Sequence, residues 1–201
     1  MDCARVKCIA LTFDDGPSAS TAKLLDTLKR HRAKATFFLV GRQVEKRPGV
    51  ARRMAREGHE IGNHTYSHAR LTELSEQEIL AEVTDAQQAI RAATGREPAL
   101  MRPPFGAVDE RVQAVAEFAG LPVVMWTGST RDWELKDTRK IAAKALGLAR
   151  RDAVILMHDI VPQTVAAMPK ILTELRERGY HVVTVSSVLR GRELAPGQRY
   201  P

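Results

Sequence analysis

Four clusters of side chains in this sequence have the types and the spacing to do chemistry. Asp14 and Asp15 stand side by side in TFDDGP, residues 12–17. Adjacent carboxylates repel, so holding both ionised requires a cation or an arginine close by. A plain turn is the competing reading, because Asp, Gly and Pro are all turn formers. In NHTYSH, residues 63–68, His64 and His68 lie four positions apart, close enough on one helical turn or in a tight loop to share a zinc ion. Single histidines are more often satisfied surface or core groups. In a chain with six histidines, however, such a pair beside a strand end, together with a separate carboxylate pair, favours metal binding. One Asp and two His leave at least one coordination position open, as a catalytic site requires and a structural one does not. Ser67 is expected to fix this loop by local hydrogen bonding.

The other two clusters are an arginine with a proline-rich exit and a histidine with a distant carboxylate. In RPPFG, residues 102–106, a stiff loop accounts for Pro103, Pro104 and Gly106 but not for Arg102. A guanidinium at a strand end is suited to orient a neighbouring carboxylate and keep it charged. His158 sits at the tip of the apolar run VILMHD, residues 154–159, and can act as a general acid if a carboxylate holds it. Asp132, in RDW, is the candidate for that carboxylate. Trp133 beside it offers a flat surface of the kind sugars lie against, with a half-buried core tryptophan as the equal alternative. Trp126 is assigned to the core, and His31, His59 and His181 belong to no constellation.

These residues must be positioned by the elements around them. Short apolar runs bounded by turn residues occur at 9–13, 35–40, 60–62, 100–102, 123–126, 154–157 and 182–185, and each reads as a strand. Between most of them, apolar residues recur at three- and four-residue spacing over 21–31, 48–57, 76–93, 110–119, 138–148 and 164–178, which reads as helix. Ser75 followed by Glu78 forms a capping-box pattern, Asp137 an N-cap, and Gly58, Gly95 and Gly179 helix stops. Strict alternation of strand and helix implies parallel strands with crossover helices, hence a barrel or an open doubly wound sheet. Asp14, Asp15, Asn63, His64, His68, Arg102, Asp132, Trp133, His158 and Asp159 then all fall at the C-terminal ends of strands, where such folds bind ligands.

Composition excludes several classes. At 201 residues the chain reads as one compact unit, and 44% hydrophobic with 27% charged residues is ordinary for a globular protein, with no apolar run long enough to cross a bilayer. Residues 1–8 lack the apolar core of a signal peptide, although a trimmed secreted form would look the same. The net charge of +7 is scattered along the chain, and aromatics make up 5%, so the dense basic block and stacking platforms of a nucleic-acid binder are missing. The positive field could instead favour approach to an anionic polymer such as a bacterial wall, in which case activity on wall material should depend on salt. Cys3 and Cys8 suit a disulfide in an oxidising compartment, with two buried thiols as the alternative.

Taken together and in order, TFDDGP, HTYSH, RPPFG, a DW pair and LMH resemble the polysaccharide deacetylase family, the NodB-homology domain of carbohydrate esterase family 4, over residues 8 to 189. The resemblance implies an α/β fold, a distorted (β/α)7 barrel, as a single domain over residues 1–201. It implies Asp14 as general base paired with Arg102, and His158 as general acid paired with Asp132. Asp15, His64 and His68 would ligate zinc, though such ligands also accept cobalt, nickel or manganese. The backbone N–H of Phe105 would donate to the oxyanion, and Pro103, Trp133 and Leu156 would line the substrate pocket. Phe105 replaces a frequent Tyr, and Ser129 replaces the first Asp of a DxxDW pattern; both departures bear on substrate preference, since a backbone N–H survives any side chain but Pro. The implied activity is removal of acetyl groups from N-acetylglucosamine residues of peptidoglycan or chitin. Alternatives are an acetylxylan esterase, a non-catalytic carbohydrate-binding relic, and a phosphoesterase, which would need ligands for a second ion. The expected partner is an acetylated polysaccharide or oligosaccharide rather than nucleic acid or a membrane, and the expected state is a secreted or wall-associated monomer.

Overall fold

The first apolar run becomes the central strand of a parallel sheet, β1 (Lys7–Asp14), buried at every position after Lys7. Burial on both faces is why the run reads as continuously apolar instead of alternating. In the computed structural model, which describes residues 2–201, β6 (Val154–His158) lies along one flank of β1. The other flank is shared by β7 (Tyr180–Val183), which pairs with residues 7–10, and β2 (Thr36–Leu39), which pairs with residues 12–14. The sheet continues from β2 to β3 (Glu60–Asn63) and from β6 to β5 (Gly128–Ser129). Beyond β3 the wall is carried by single bridges, Asn63 to Met101 and Met101 to Val123, into β4 (Val123–Val124), which pairs with β8 (Arg199–Tyr200). All these pairings are parallel, and the wall curls into a distorted (β/α)7 barrel.

Two expected strands are shorter than the sequence suggested. The run at 100–102 contributes only the bridge residue Met101, because Pro103 and Pro104 follow it and have no N–H for a ladder. The run at 123–126 stops at Val124. There the carbonyls of Val124 and Met125 turn inward to accept from the Arg102 guanidinium at 2.9 and 2.7 Å, so they are not free to continue a ladder. Two-residue β5 and β8 were not expected, since neither has a pattern long enough to register.

The expected helices form as α1 (Thr21–Arg30), α3 (Pro48–Arg56), α4 (Glu76–Thr94), α5 (Glu110–Phe118), α7 (Thr138–Gly147) and α8 (Pro162–Glu177). Short α2 (Gly41–Lys46), α6 (Asp132–Leu135) and α9 (Val185–Leu189) are additional. The capping box of Ser75 and Glu78 is made in both directions, Asp137 accepts from the Lys140 N–H, and Gly58, Gly95 and Gly179 take left-handed φ. The main core packs β1, β2 and β6 against α1, α7 and α8, with Phe13 and Phe37 stacked at 5.3 Å between ring centroids. Each such buried aromatic or aliphatic side chain stabilises the fold by about 1.5–3 kcal/mol. Register then sets the site: Asp14, the last residue of β1, is the in-register neighbour of His158, the last of β6.

Candidate active site

Asp15 follows β1 in a left-handed conformation, φ 73°, which turns its side chain off the strand line. His64 and His68 belong to the loop after β3, where Thr65 and His68 are also left-handed. Left-handed backbone is costly away from glycine and persists where surrounding structure enforces it. Enforcement is visible here: the Thr65 N–H donates to Asn63 Oδ1 at 2.8 Å, and the His68 N–H to Thr65 Oγ1 at 3.2 Å. Ser67 does not bond locally as expected. Its hydroxyl donates to Glu82 of α4 at 2.5 Å, and the Tyr66 and Ser67 N–H groups donate to the same carboxylate.

The three side chains converge. Asp15 Oδ1 lies 3.3 Å from His64 Nε2 and 3.0 Å from His68 Nε2, and the candidate ligand atoms all fall within 4.8 Å of one another. Asp15 Oδ1 is buried and has no conventional hydrogen-bond partner among the described residues. His64 Nδ1 lies 2.5 Å from the Arg102 carbonyl, which can only accept, so Nδ1 carries a proton and Nε2 is the ring nitrogen turned toward Asp15. An orienting acceptor of this kind is the usual support of a metal-bound imidazole. Burial works against the Asp15 charge, but the two histidines outweigh it and hold the carboxyl well below its ordinary range. The donor set and its packing fit one divalent cation.

Arg102 is fully buried, and each of its three guanidinium nitrogens is hydrogen-bonded. It donates to Thr12 Oγ1 and Asp14 Oδ1, both at 2.8 Å, and to the two carbonyls named above, while its guanidinium lies 4.1 Å from the Phe38 ring centroid. A guanidinium buried against a carboxylate fixes that carboxylate's direction through planar, rigidly placed donors. Across the rim, Asp132 Oδ1 meets His158 Nδ1 at 2.8 Å, and Oδ2 accepts from the His158 N–H at 2.7 Å and from Thr164 Oγ1 at 2.6 Å. Burial raises Asp132, but His158 and Thr164 more than offset it and keep it ionised. Burial likewise opposes charge on His158; Asp132, aided by Asp14 and Asp15, prevails, and its pKa is pushed up to about 8.

A cavity of about 430 Å³ joins these groups, lined by the polar Asp14, Asp15, His64, His68 and His158 and by the apolar Pro103, Phe105, Trp133 and Leu156. Trp133 stands edge-to-face with His158 at 5.2 Å, and Phe105, itself left-handed at φ 60°, stands edge-to-face with His68 at 4.7 Å. Every site residue expected from the sequence therefore lies in this cavity or directly behind it. Trp126 is a correction: it is half-buried and lines the cavity, because the chain leaves the barrel wall just before it. A Cβ at Gly106 would come within 2.7 Å of its ring, which is why that position is glycine.

Several supporting residues were not anticipated. Thr164 lies 32 positions from Asp132 and Glu82 15 positions from Ser67, Ile160 lines the cavity two residues after His158, and no local pattern marks them. Asp159 is fully buried; it accepts from the Thr21 hydroxyl, and its other oxygen has no partner among the described residues. Burial pushes its pKa up to about 7. Its carboxyl packs on Gly16, where any Cβ would collide with it, so it buttresses the loop that presents Asp15.

The sequence profile described as polysaccharide deacetylase matches residues 2–124. A peptidoglycan-N-acetylglucosamine deacetylase, PgdA of Listeria monocytogenes, is 44% identical over 195 residues, covering 96% of this chain and 41% of that protein. A peptidoglycan-N-acetylmuramic acid deacetylase, PdaC of Bacillus subtilis, is 38% identical over 183 residues, 90% of this chain and 38% of that protein. The chain thus spans about two fifths of the length of these relatives. A solved structure described as T48 deacetylase with substrate superposes with a TM-score of 0.96 at 40% identity, covering 100% of both chains. Carried by the profile and by relatives of this similarity, the conclusion is that the chain belongs to the polysaccharide deacetylase family.

Proposed function

We propose that this chain is a metal-dependent deacetylase that hydrolyses the acetamide of N-acetylglucosamine residues in a polysaccharide, peptidoglycan or a chitin-like chain, and that it acts outside the cell or at the wall. The observation that carries the reading is the pairing across one cavity of a carboxylate locked by a buried arginine, Asp14 with Arg102, and an imidazole locked by a buried carboxylate, His158 with Asp132. Such a site holds a base and an acid at the same rim, with Asp15, His64 and His68 between them. Zinc is the proposed ion; when bound, a divalent cation supplies Lewis acidity to water and to the acetyl carbonyl.

The side chains divide the remaining work. Asp14 takes a proton from the attacking water, and the Arg102 bond keeps it pointed into the cavity. The Phe105 backbone N–H is the proposed donor to the oxyanion that develops on the carbonyl, a group fixed before reaction and therefore favouring the transition state. Collapse of the tetrahedral species breaks the C–N bond, and protonated His158 delivers a proton to the departing nitrogen, leaving acetate and a free amine. Trp133, Leu156 and Pro103 form the apolar wall that receives the acetyl methyl and the sugar face. Acetate release from peptidoglycan and N-acetylchitooligosaccharides, with acetylxylan as control, tests the assignment. Release from the amide substrates is expected; release from acetylxylan alone would replace it with an esterase.

A further inference from the structure

The cavity does not end at the metal group. Asp15, His68 and Ile160 also line a second recess of about 340 Å³, whose lining includes Arg42, Gln43 and Lys46 of α2. We propose that this recess binds a carboxylate carried by the glycan close to the scissile acetamide, as the lactyl ether of N-acetylmuramic acid carries one, and so makes the enzyme prefer anionic glycan over neutral chitin-like chains. The proposal rests on the deacetylase reading and deepens it.

Three observations support it. First, α2 is tied to both metal-ligand loops: the Val40 N–H donates to the Gly16 carbonyl, and the Gly41 and Arg42 N–H groups donate to the Thr65 and Tyr66 carbonyls, each at 3.0 Å. The backbone that carries Arg42 and Lys46 is therefore tied to the loops that carry Asp15 and His68. Second, Arg42 and Lys46 are spaced i, i+4 and both exposed, so they share a helix face, an arrangement that destabilises an isolated helix. Third, Glu45, Glu82 and Asp15 each have a partner other than Arg42 and Lys46. Glu45 on the same helix accepts from the Tyr66 hydroxyl at 3.0 Å, Glu82 holds Tyr66 and Ser67, and Asp15 is held by the two histidines. Arg42 lies 5.4 Å from the Tyr66 ring centroid, and neither it nor Lys46 has an ion-pair partner among the described residues. The recess thus offers two cationic side chains without ion pairs beside Asp15 and His68, while the apolar wall serves a sugar face of either kind.

The test compares holoenzyme with the double variant Arg42→Gln/Lys46→Gln on a tetrasaccharide of alternating N-acetylglucosamine and N-acetylmuramic acid, on the same tetrasaccharide with its lactyl groups methyl-esterified, and on N-acetylchitotetraose. The native protein is expected to favour the free acid over the ester in kcat/KM, mainly through KM, and the double variant to lose about fivefold or more of that ratio. Raised salt should narrow the ratio in the native protein. An unchanged acid-to-ester ratio in the variant, or an equal loss on all three substrates, would overturn the proposal. Calorimetric binding of acid and ester keeps the two readings apart. A protein that releases no acetate yet binds the acid more tightly than the ester through Arg42 and Lys46 would lose the hydrolase assignment and keep the recess; one that binds both equally would lose the recess.

Discussion

An amine anion is a poor leaving group, so His158 matters most where the bond to be broken is an amide. His158→Ala should lower kcat on N-acetylated oligosaccharides by about 10²- to 10⁴-fold and cost clearly less on an O-acetyl ester of similar shape; equal losses on both would contradict its role as acid. The charge balance at this residue adds a pH dependence. With its pKa pushed up to about 8, His158 stays protonated through neutral pH, and amide hydrolysis should decline as pH rises through that value. Asp132→Asn removes the strongest support for the charged ring, so the alkaline limb of the kcat profile should move to lower pH; a limb that stays in place would mean another group sets it. At this scale the sequence was highly legible, because Asp14, Asp15, His64, His68, Arg102 and His158 are polar residues at strand ends with no structural duty to explain them. Thr164 and Glu82 were not legible, since their importance depends on partners that only folding brings near; Asp159 was legible as a strand-end acid, but not its bond to Thr21.

Elements place these groups by long-range ties. Glu82 on α4 holds the backbone of the histidine loop through two N–H bonds and a hydroxyl, so Glu82→Ala should loosen His68 and weaken zinc binding by about 10- to 100-fold without unfolding the helix. Metal affinity by competition with a chelator, alongside circular dichroism, checks this; unchanged affinity would show that the loop holds itself. Long periodic segments such as α4 and α8 were readable from their spacing and caps. The wall near residues 100–129 was not, because there the carbonyls of Val124 and Met125 go to Arg102 and not to a neighbouring strand, a tertiary choice that no strand pattern encodes. Trp126 was misplaced for the same reason: leaving the wall put it in the cavity.

For the molecule as a whole, the barrel gathers onto one rim groups separated by up to 144 residues, which is what parallel strands with short C-terminal loops allow. The lower end is fastened by the Cys3–Cys8 disulfide, which anchors the segment leading into β1. Replacing both cysteines with alanine should lower stability by about 2 kcal/mol in urea unfolding, with acetate release little changed at low denaturant; an unaltered midpoint would show that the N-terminal packing suffices. The central claim concerns a single cation held by Asp15, His64 and His68. Its most direct test is to strip the protein of metal, titrate it with zinc, and follow bound metal and acetate release together, with Asp15→Ala in parallel. Activity that rises from nothing and saturates at one zinc per chain, and fails to appear in the variant, is the expected result; acetate release that survives stripping, or full zinc binding by Asp15→Ala, would contradict it.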